Sequence, residues 1–410
     1  MQERGVPKAW RSVSKRLSFA APHIHGFTIW LREDGYSEAT IKELIRLLAA
    51  WTAWMSVEGF SQDELAIGLD ASKAASKDRT RTGVDVIGKA AVGAASLFIR
   101  YLRDQAVLPP PVSVPLPTER WPILGAFRLW MREHRGLAES TQGRYERNVV
   151  ALIEALGDDP LAFTAEAIRG FVMMRARLHS AGHARSIVVP IRAFLRFLVA
   201  TGQCASGKEH AVPAFTHWRL SSVPKFLDEE NIERVIDACE GEDRLRDKAV
   251  VLLLVRLGLR ASDVANLKLA DIDWQDGRMR LCGKSRREEW LPLTQEVGDA
   301  ILAYIKRGRP RLSLAELFAT QIAPLRPITR VTVKCIVNRS LTRAGIETPC
   351  KGAHILRHSA ATAMLRHDVS LAGVAAVLRH RSPATTALYA KVDFGLLSEI
   401  VQPWPGRQPC

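Results

Sequence analysis

Between Leu108 and Pro117 the chain reads LPPPVSVPLP, five prolines in ten residues. Each proline fixes φ and lacks an amide donor, so no helix interior or central strand can run through this stretch. The stretch therefore reads as a linker that divides the segments on its two sides. A second break spans Thr201 to Val223, where Gly, Ser and Pro mix and helical periodicity is lost. A chain of 410 residues exceeds one ordinary core, and the two breaks predict domains at 1–108, 118–203 and 222–410.

The first two segments resemble each other. Phe27-Thr-Ile-Trp30-Leu-Arg-Glu33 returns one hundred positions later as Phe127-Arg-Leu-Trp130-Met-Arg-Glu133. Glu38-Ala-Thr40 returns as Glu139-Ser140-Thr141, and Phe98-Ile-Arg100-Tyr101-Leu102 as Phe194-Leu-Arg196-Phe197-Leu198. Matches at both ends point to an internal duplication of a small helical unit, with 1–108 a degenerate copy of the second. Apolar residues at three- and four-residue steps (Phe27, Trp30, Leu31; Ile41, Leu44, Ile45, Leu48) predict helices, with Ser37 and Ser140 as N-caps.

The third segment changes character. Asp247 to Leu259 is apolar nearly all round, as a central buried helix is. Ile272-Asp-Trp, Arg278 to Cys282 and Trp290 to Leu293, separated by Gly-containing turns, predict a three-stranded antiparallel sheet. Helical pattern then resumes, with Gly345 closing a helix from about Thr332 to Arg343. The fold class expected is therefore mainly α with a small antiparallel β-sheet in the C-terminal domain and helical domains before it.

Net charge is +15, which points to a polyanionic partner, nucleic acid first. Arg132, Arg135, Arg144, Arg147, Arg175, Arg177, Arg185 and Arg192 in the second unit suit contact with a DNA backbone. No apolar run reaches the roughly 18 residues of a membrane span, and the charged start is no export signal, so a cytoplasmic protein is expected. The six cysteines form no CxxC pair, which sets aside a zinc site and a disulfide scaffold.

Candidate chemistry concentrates near the C-terminus. His354 and Arg357 lie three residues apart and share a helical face. His380 comes next, and Tyr389 nine residues later. Arginine meets two phosphate oxygens with its planar fork, and a phenol is a nucleophile once nearby positive charge or a base assists its ionisation. Arg379, His380 and Arg381 are the nearest sources of that charge in sequence. Upstream, Arg260 is read as ending the apolar helix, with Asp263 placed to hold it. Lys284 sits in a turn between strands, where a lysine of lowered pKa can donate a proton. Each of these alone also fits an ordinary surface residue.

Together, LGLRASDVANLKLADID, the GKS turn followed by LPL, AHILRHSAATAML and VLRHRSPATTALYAKVD resemble the tyrosine recombinase (phage integrase) family over about 222–395. The resemblance implies a site-specific DNA recombinase that cuts and rejoins double-stranded DNA through a 3′-phosphotyrosyl intermediate. In that scheme Arg260 and Arg357 clamp the scissile phosphate, and Lys284 protonates the departing 5′-oxygen. His354 assists proton transfer, His380 hydrogen-bonds the phosphate, Tyr389 attacks, and Asp263 and His358 support the others. It implies no metal or nucleotide cofactor, a SAM-like core-binding domain over 118–203, and a homotetramer on two duplexes, with related recombinases as further partners. A bacterial mobile element is the expected setting. A type IB topoisomerase and a catalytically silent DNA-binding accessory protein are the rival readings. The chain departs from the pattern at Asp263, where Glu is more usual, and at Arg379, where Gly is common. The segment 1–108 is unexplained by the resemblance. Leu396, Leu397, Ile400 and Val401 form an apolar stripe expected to dock on a neighbouring subunit.

Overall fold

The computed structural model describes residues 18–76, 87–111, 115–178, 181–215, 224–282, 288–348, 352–380 and 382–392. Lys284, Arg381 and the apolar stripe of the tail lie outside the described residues. The chain forms two compact units, Met1–Pro109 with Ser222–Cys410, and Pro110–Ser221.

The N-terminal part of the first unit is four helices: α1 (Ile24–Glu33), α2 (Glu38–Val57), α3 (Leu65–Ala75) and α4 (Lys89–Asp104). Ser37 starts α2, its hydroxyl accepting from Thr40 N at 3.3 Å. The core is built on Phe27, Trp51 and Phe98, all fully buried. Elsewhere in the same unit, Leu325 N donates to the carbonyl of Asp34 at 3.1 Å. The adjoining Gly35 has φ +85°, and a Cβ there would lie 2.5 Å from a Leu325 methyl.

The second unit repeats the plan with α5 (Pro122–Arg135), α6 (Glu139–Leu156), α7 (Ala165–Arg177) and α8 (Ala181–Ala200). Proline opens α5 and left-handed Gly136 closes it, the asymmetry expected of helix ends. Ser140 is not a cap: α6 starts one residue before it, with Ala138 as the extended N-cap residue and no side-chain cap bond. The packed chain also runs past 203, where Cys204, Ala211 and Val212 join the core and Arg192 donates to the Val212 carbonyl at 2.9 Å.

At the centre of each bundle the aromatic rings meet in matching geometry. Phe27 and Trp30 have centroids 6.1 Å apart at 23°; Phe127 and Trp130 are 6.3 Å apart at 20°. Phe27 meets Phe98 edge-on at 5.2 Å and 77°, and Phe127 meets Phe194 at 5.2 Å and 73°. Phe27 and Tyr101 tilt at 5.5 Å and 45°, Phe127 and Phe197 at 5.4 Å and 47°. Each such pair contributes about 0.5–1.5 kcal/mol beyond area burial, so the ring set is a main determinant of both bundles.

The C-terminal part is organised around α10 (Leu245–Val255), which comes after α9 (Glu229–Asp237) and is buried on every side. It ends earlier than its apolar run: the chain turns at Gly258 (φ +59°) and re-enters helix as α11 (Ala261–Asn266). Arg260 is therefore the N-cap residue of α11, not the end of the apolar helix. The sheet is β1 (Ile272–Asp273), β2 (Arg278–Cys282) and β3 (Glu288–Pro292), antiparallel in that order. Met279 pairs with Ile272 and Leu291, and Met279 and Leu281 turn one face of β2 into the core. Then come α12 (Gln295–Ala303), α13 (Arg330–Arg343, capped by Thr329), α14 (Ala353–Arg366) and α15 (Leu371–Val377). A satellite core of Ala361, Leu365, Val374, Leu378, Tyr389 and Val392 lies beneath the C-terminal elements.

Candidate active site

Two turns with left-handed backbones make the site. Gly258 is one, and a Cβ there would lie 2.4 Å from Leu378 Cδ2, so only glycine allows this approach. The other ends α15. Arg379 N donates to Ala376 O at 3.0 Å and His380 N to Ala375 O at 2.9 Å, the bond pair of a Schellman cap. Its pivot, Arg379, has φ +53°, a conformation that costs a residue with a Cβ roughly 1 kcal/mol relative to glycine. The carbonyls freed by these turns face two guanidinium groups. Arg357, 5% exposed, donates to Gly258 O and Leu378 O. Arg260 donates to Arg379 O at 2.9 Å.

Helix α14, which carries Arg357, supplies two more of the expected residues. His354 is on its exposed side, with its ring 6.2 Å from that of His358. His358 Nδ1 is 2.7 Å from the hydroxyl of Tyr389, which lies in a 3₁₀ turn and is 2% exposed. The His380 ring stacks on Tyr389 at 6.3 Å and 5°, while His380 Nδ1 meets Thr386 Oγ1 at 2.8 Å. Contacts thus join Arg260, Asp263, His354, Arg357, His358, His380 and Tyr389 into one cluster drawn from four segments; Lys284 falls outside the described residues.

The electrostatics are those of a site short of anions. Burial first, then the charge of Arg260, holds Arg357 down at about 10. Burial and the charges of Arg357 and Arg260 push His380 down to about 4, so it is neutral at physiological pH. The same causes lower His354, with Arg330 adding to them. His358 is lowered by burial and by His354 and Arg357. The sequence pointed to Arg379 and its neighbours as the charges that help Tyr389 ionise. Instead burial raises the phenol, and Arg357 is the group that opposes the rise.

Asp263 does more than expected. It holds Arg260 through the backbone, Oδ2 accepting from Arg260 N at 3.1 Å, while its carboxylate binds the Arg379 guanidinium and the Arg260 guanidinium stays 4.0 Å away. Sequence reasoning missed this pair, along with Gly258 and Thr386. The nearest available signals were the glycine between two leucines and the Thr three residues before the tyrosine. Among the described residues no cluster of His, Cys, Asp or Glu is arranged to hold a metal ion.

Residues 225–395 match the model of the phage integrase family. The y4rA protein of Sinorhizobium fredii, named as an integrase/recombinase, is 32% identical over 400 residues, 94% of this chain and 95% of the relative. This chain belongs to the tyrosine recombinase (phage integrase) family. Site-specific breakage and rejoining of DNA is therefore its activity. The tyrosine recombinase XerD of Vibrio vulnificus is 27% identical over 281 residues, covering 66% of this chain and 90% of XerD. Among solved structures, a lambda integrase tetramer bound to a Holliday junction superimposes with TM-score 0.52 at 17% identity, over 76% of this chain and 89% of that one. The mainly helical fold with its three-stranded sheet is thus that of tyrosine recombinases.

Proposed function

We propose that this recombinase cuts DNA by attack of the Tyr389 hydroxyl on a phosphate held by Arg260 and Arg357, giving a 3′-phosphotyrosyl link. The observation that carries the reading is the cluster itself. A buried arginine fixed by two carbonyls, a second arginine beside it, and a tyrosine between two neutral histidines surround a place that lacks negative charge. A phosphate supplies that charge, and groups already oriented toward it need little reorganisation in the transition state. His358, held neutral, takes the phenol proton when its Nε2 carries the ring hydrogen. His380 hydrogen-bonds the phosphate, His354 assists proton transfer, and Lys284 protonates the 5′-oxygen. The tyrosyl ester keeps the energy of the broken bond, so rejoining draws on neither metal nor nucleotide.

The assembly proposed is a homotetramer on two duplexes, acting in the cytoplasm of a bacterium for a mobile element; the similar lambda integrase, a tetramer on a Holliday junction, supports a tetramer. Residues 118–203 form the helical core-binding domain and 222–410 the catalytic domain. Residues 1–108 are a second copy of the helical unit, a reading supported by the paired motifs and matching ring geometry. The test is Tyr389→Phe, which should abolish the covalent protein–DNA adduct on a nicked suicide substrate while duplex affinity stays within about twofold. A surviving adduct would remove Tyr389 from the mechanism. Strand exchange between two marked duplexes, as opposed to relaxation of supercoils by a monomer, separates a recombinase from a topoisomerase.

A further inference from the structure

Arg379 stands where backbone geometry favours glycine, yet its side chain is only 5% exposed. A buried guanidinium is expected to have its donors satisfied. One Nη of Arg379 binds Asp263, but Nε and Nη1 have no hydrogen-bond partner. The carboxylate of Glu289 on β3 lies 3.8 Å from Nε, within ion-pair range and less than 1 Å beyond ordinary hydrogen-bond length. The main chain of the same residue holds Arg260 through its carbonyl. One residue therefore touches the clamp arginine, that arginine's neighbouring carboxylate, and the strand that continues from Lys284.

We propose that Arg379 is a positioning residue that ties β3 to the phosphate clamp, so that the segment carrying Lys284 is held in register with Arg260. The guanidinium lies too deep to take up DNA itself, and its unpaired Nε faces Glu289 on a strand whose closer approach satisfies it. The inference rests on the reading of Lys284 as the acid for the leaving 5′-oxygen. It also gives Asp263 a role: by binding Arg379 it leaves the Arg260 fork available to phosphate.

Glu289→Gln cuts only the tie to β3, and Arg379→Gly cuts the tie while relieving the backbone, so both variants are expected to fold. Hydrogen exchange of the free protein should show the 288–292 amides exchanging several-fold faster in both, with α10 unchanged. Cleavage of an ordinary suicide substrate should slow about three- to tenfold in Glu289→Gln, a misplacement effect of the kind positioning groups control. A substrate with sulfur at the 5′-bridging position, which needs no acid, should restore the wild-type rate. In Arg379→Gly part of the defect should remain, because Asp263 is released toward Arg260. Unchanged exchange at 288–292 in both variants overturns the tie. So does a Glu289→Gln defect that sulfur leaves in place while it rescues Lys284→Ala. Failure of sulfur to rescue Lys284→Ala removes the acid role from Lys284, and the exchange measurement then decides the tie alone.

Discussion

The two helical bundles share a core and differ in their surfaces. Phe27, Trp30, Phe98 and Tyr101 in one, and Phe127, Trp130, Phe194 and Phe197 in the other, meet at nearly the same distances and angles. Residues 18–108 carry ten Lys and Arg against eleven Asp and Glu, whereas 117–203 carry twelve arginines against eight carboxylates. Pairing widens the contrast. In the first bundle Arg32, Arg46, Lys73 and Arg100 each hold a carboxylate. Among the described residues of the second, Arg128 alone of its arginines does so. A phosphate backbone is attracted by unneutralised cations, so the same shape carries a surface suited to such a backbone in one bundle and a neutral one in the other. Shape is set by the buried aromatics, and the partner by the exposed charges.

The largest effect should come from the shared core. Phe27→Ala and Phe127→Ala each remove a fully buried ring and should cost their own bundle about 3–5 kcal/mol, read as loss of exchange protection confined to that bundle. If one bundle tolerates the change, the cores are not equivalent. Next comes the surface. Replacing exposed Arg144 and Arg147 together by Ala should weaken duplex binding roughly tenfold near 0.15 M salt and flatten the salt slope by about 2. Their counterparts, 101 positions earlier, are Glu43 and Arg46, bound to each other at 2.8 Å. Glu43→Arg should strengthen duplex binding, and no change would show that the first surface is turned from DNA for another reason. The smallest effect expected is from deleting 1–108, which should shift affinity by under about threefold and leave adduct formation intact. A larger loss would make the neutral copy a DNA-binding domain after all.

How much the sequence made legible depends on how local each cause is. Ser37 caps its helix, the hairpin strands fall where alternation and glycine placed them, and the repeated aromatic spacing returns as matching ring geometry. Ser140 failed as a cap because Ala138 is the residue with extended backbone ahead of α6, a choice that the overlapping Ala-Glu-Ser-Thr leaves open. Motif and spacing singled out the ordered Arg, His, Arg, His and Tyr positions, and the fold brings these side chains together. The Asp263–Arg379 pair was not legible: its partners are 116 residues apart, and nearby Arg260 was the obvious choice. Nor does any local pattern show that Tyr389 is buried, since that depends on a satellite core assembled from α14, α15 and the final turn.

Arg357 has a consequence for how such genes decay. By bonding Gly258 O and Leu378 O it fastens two distant turns, so the residue that would hold the phosphate is also a joint of the fold. A copy of the gene with Phe in place of Tyr389 keeps the ring in the satellite core, and can persist as a DNA-bound competitor of the active protein. A copy that loses Arg357 loses that joint as well, and should disappear as misfolded protein. Inactive descendants of this chain should therefore keep the buried arginine long after the tyrosine is gone.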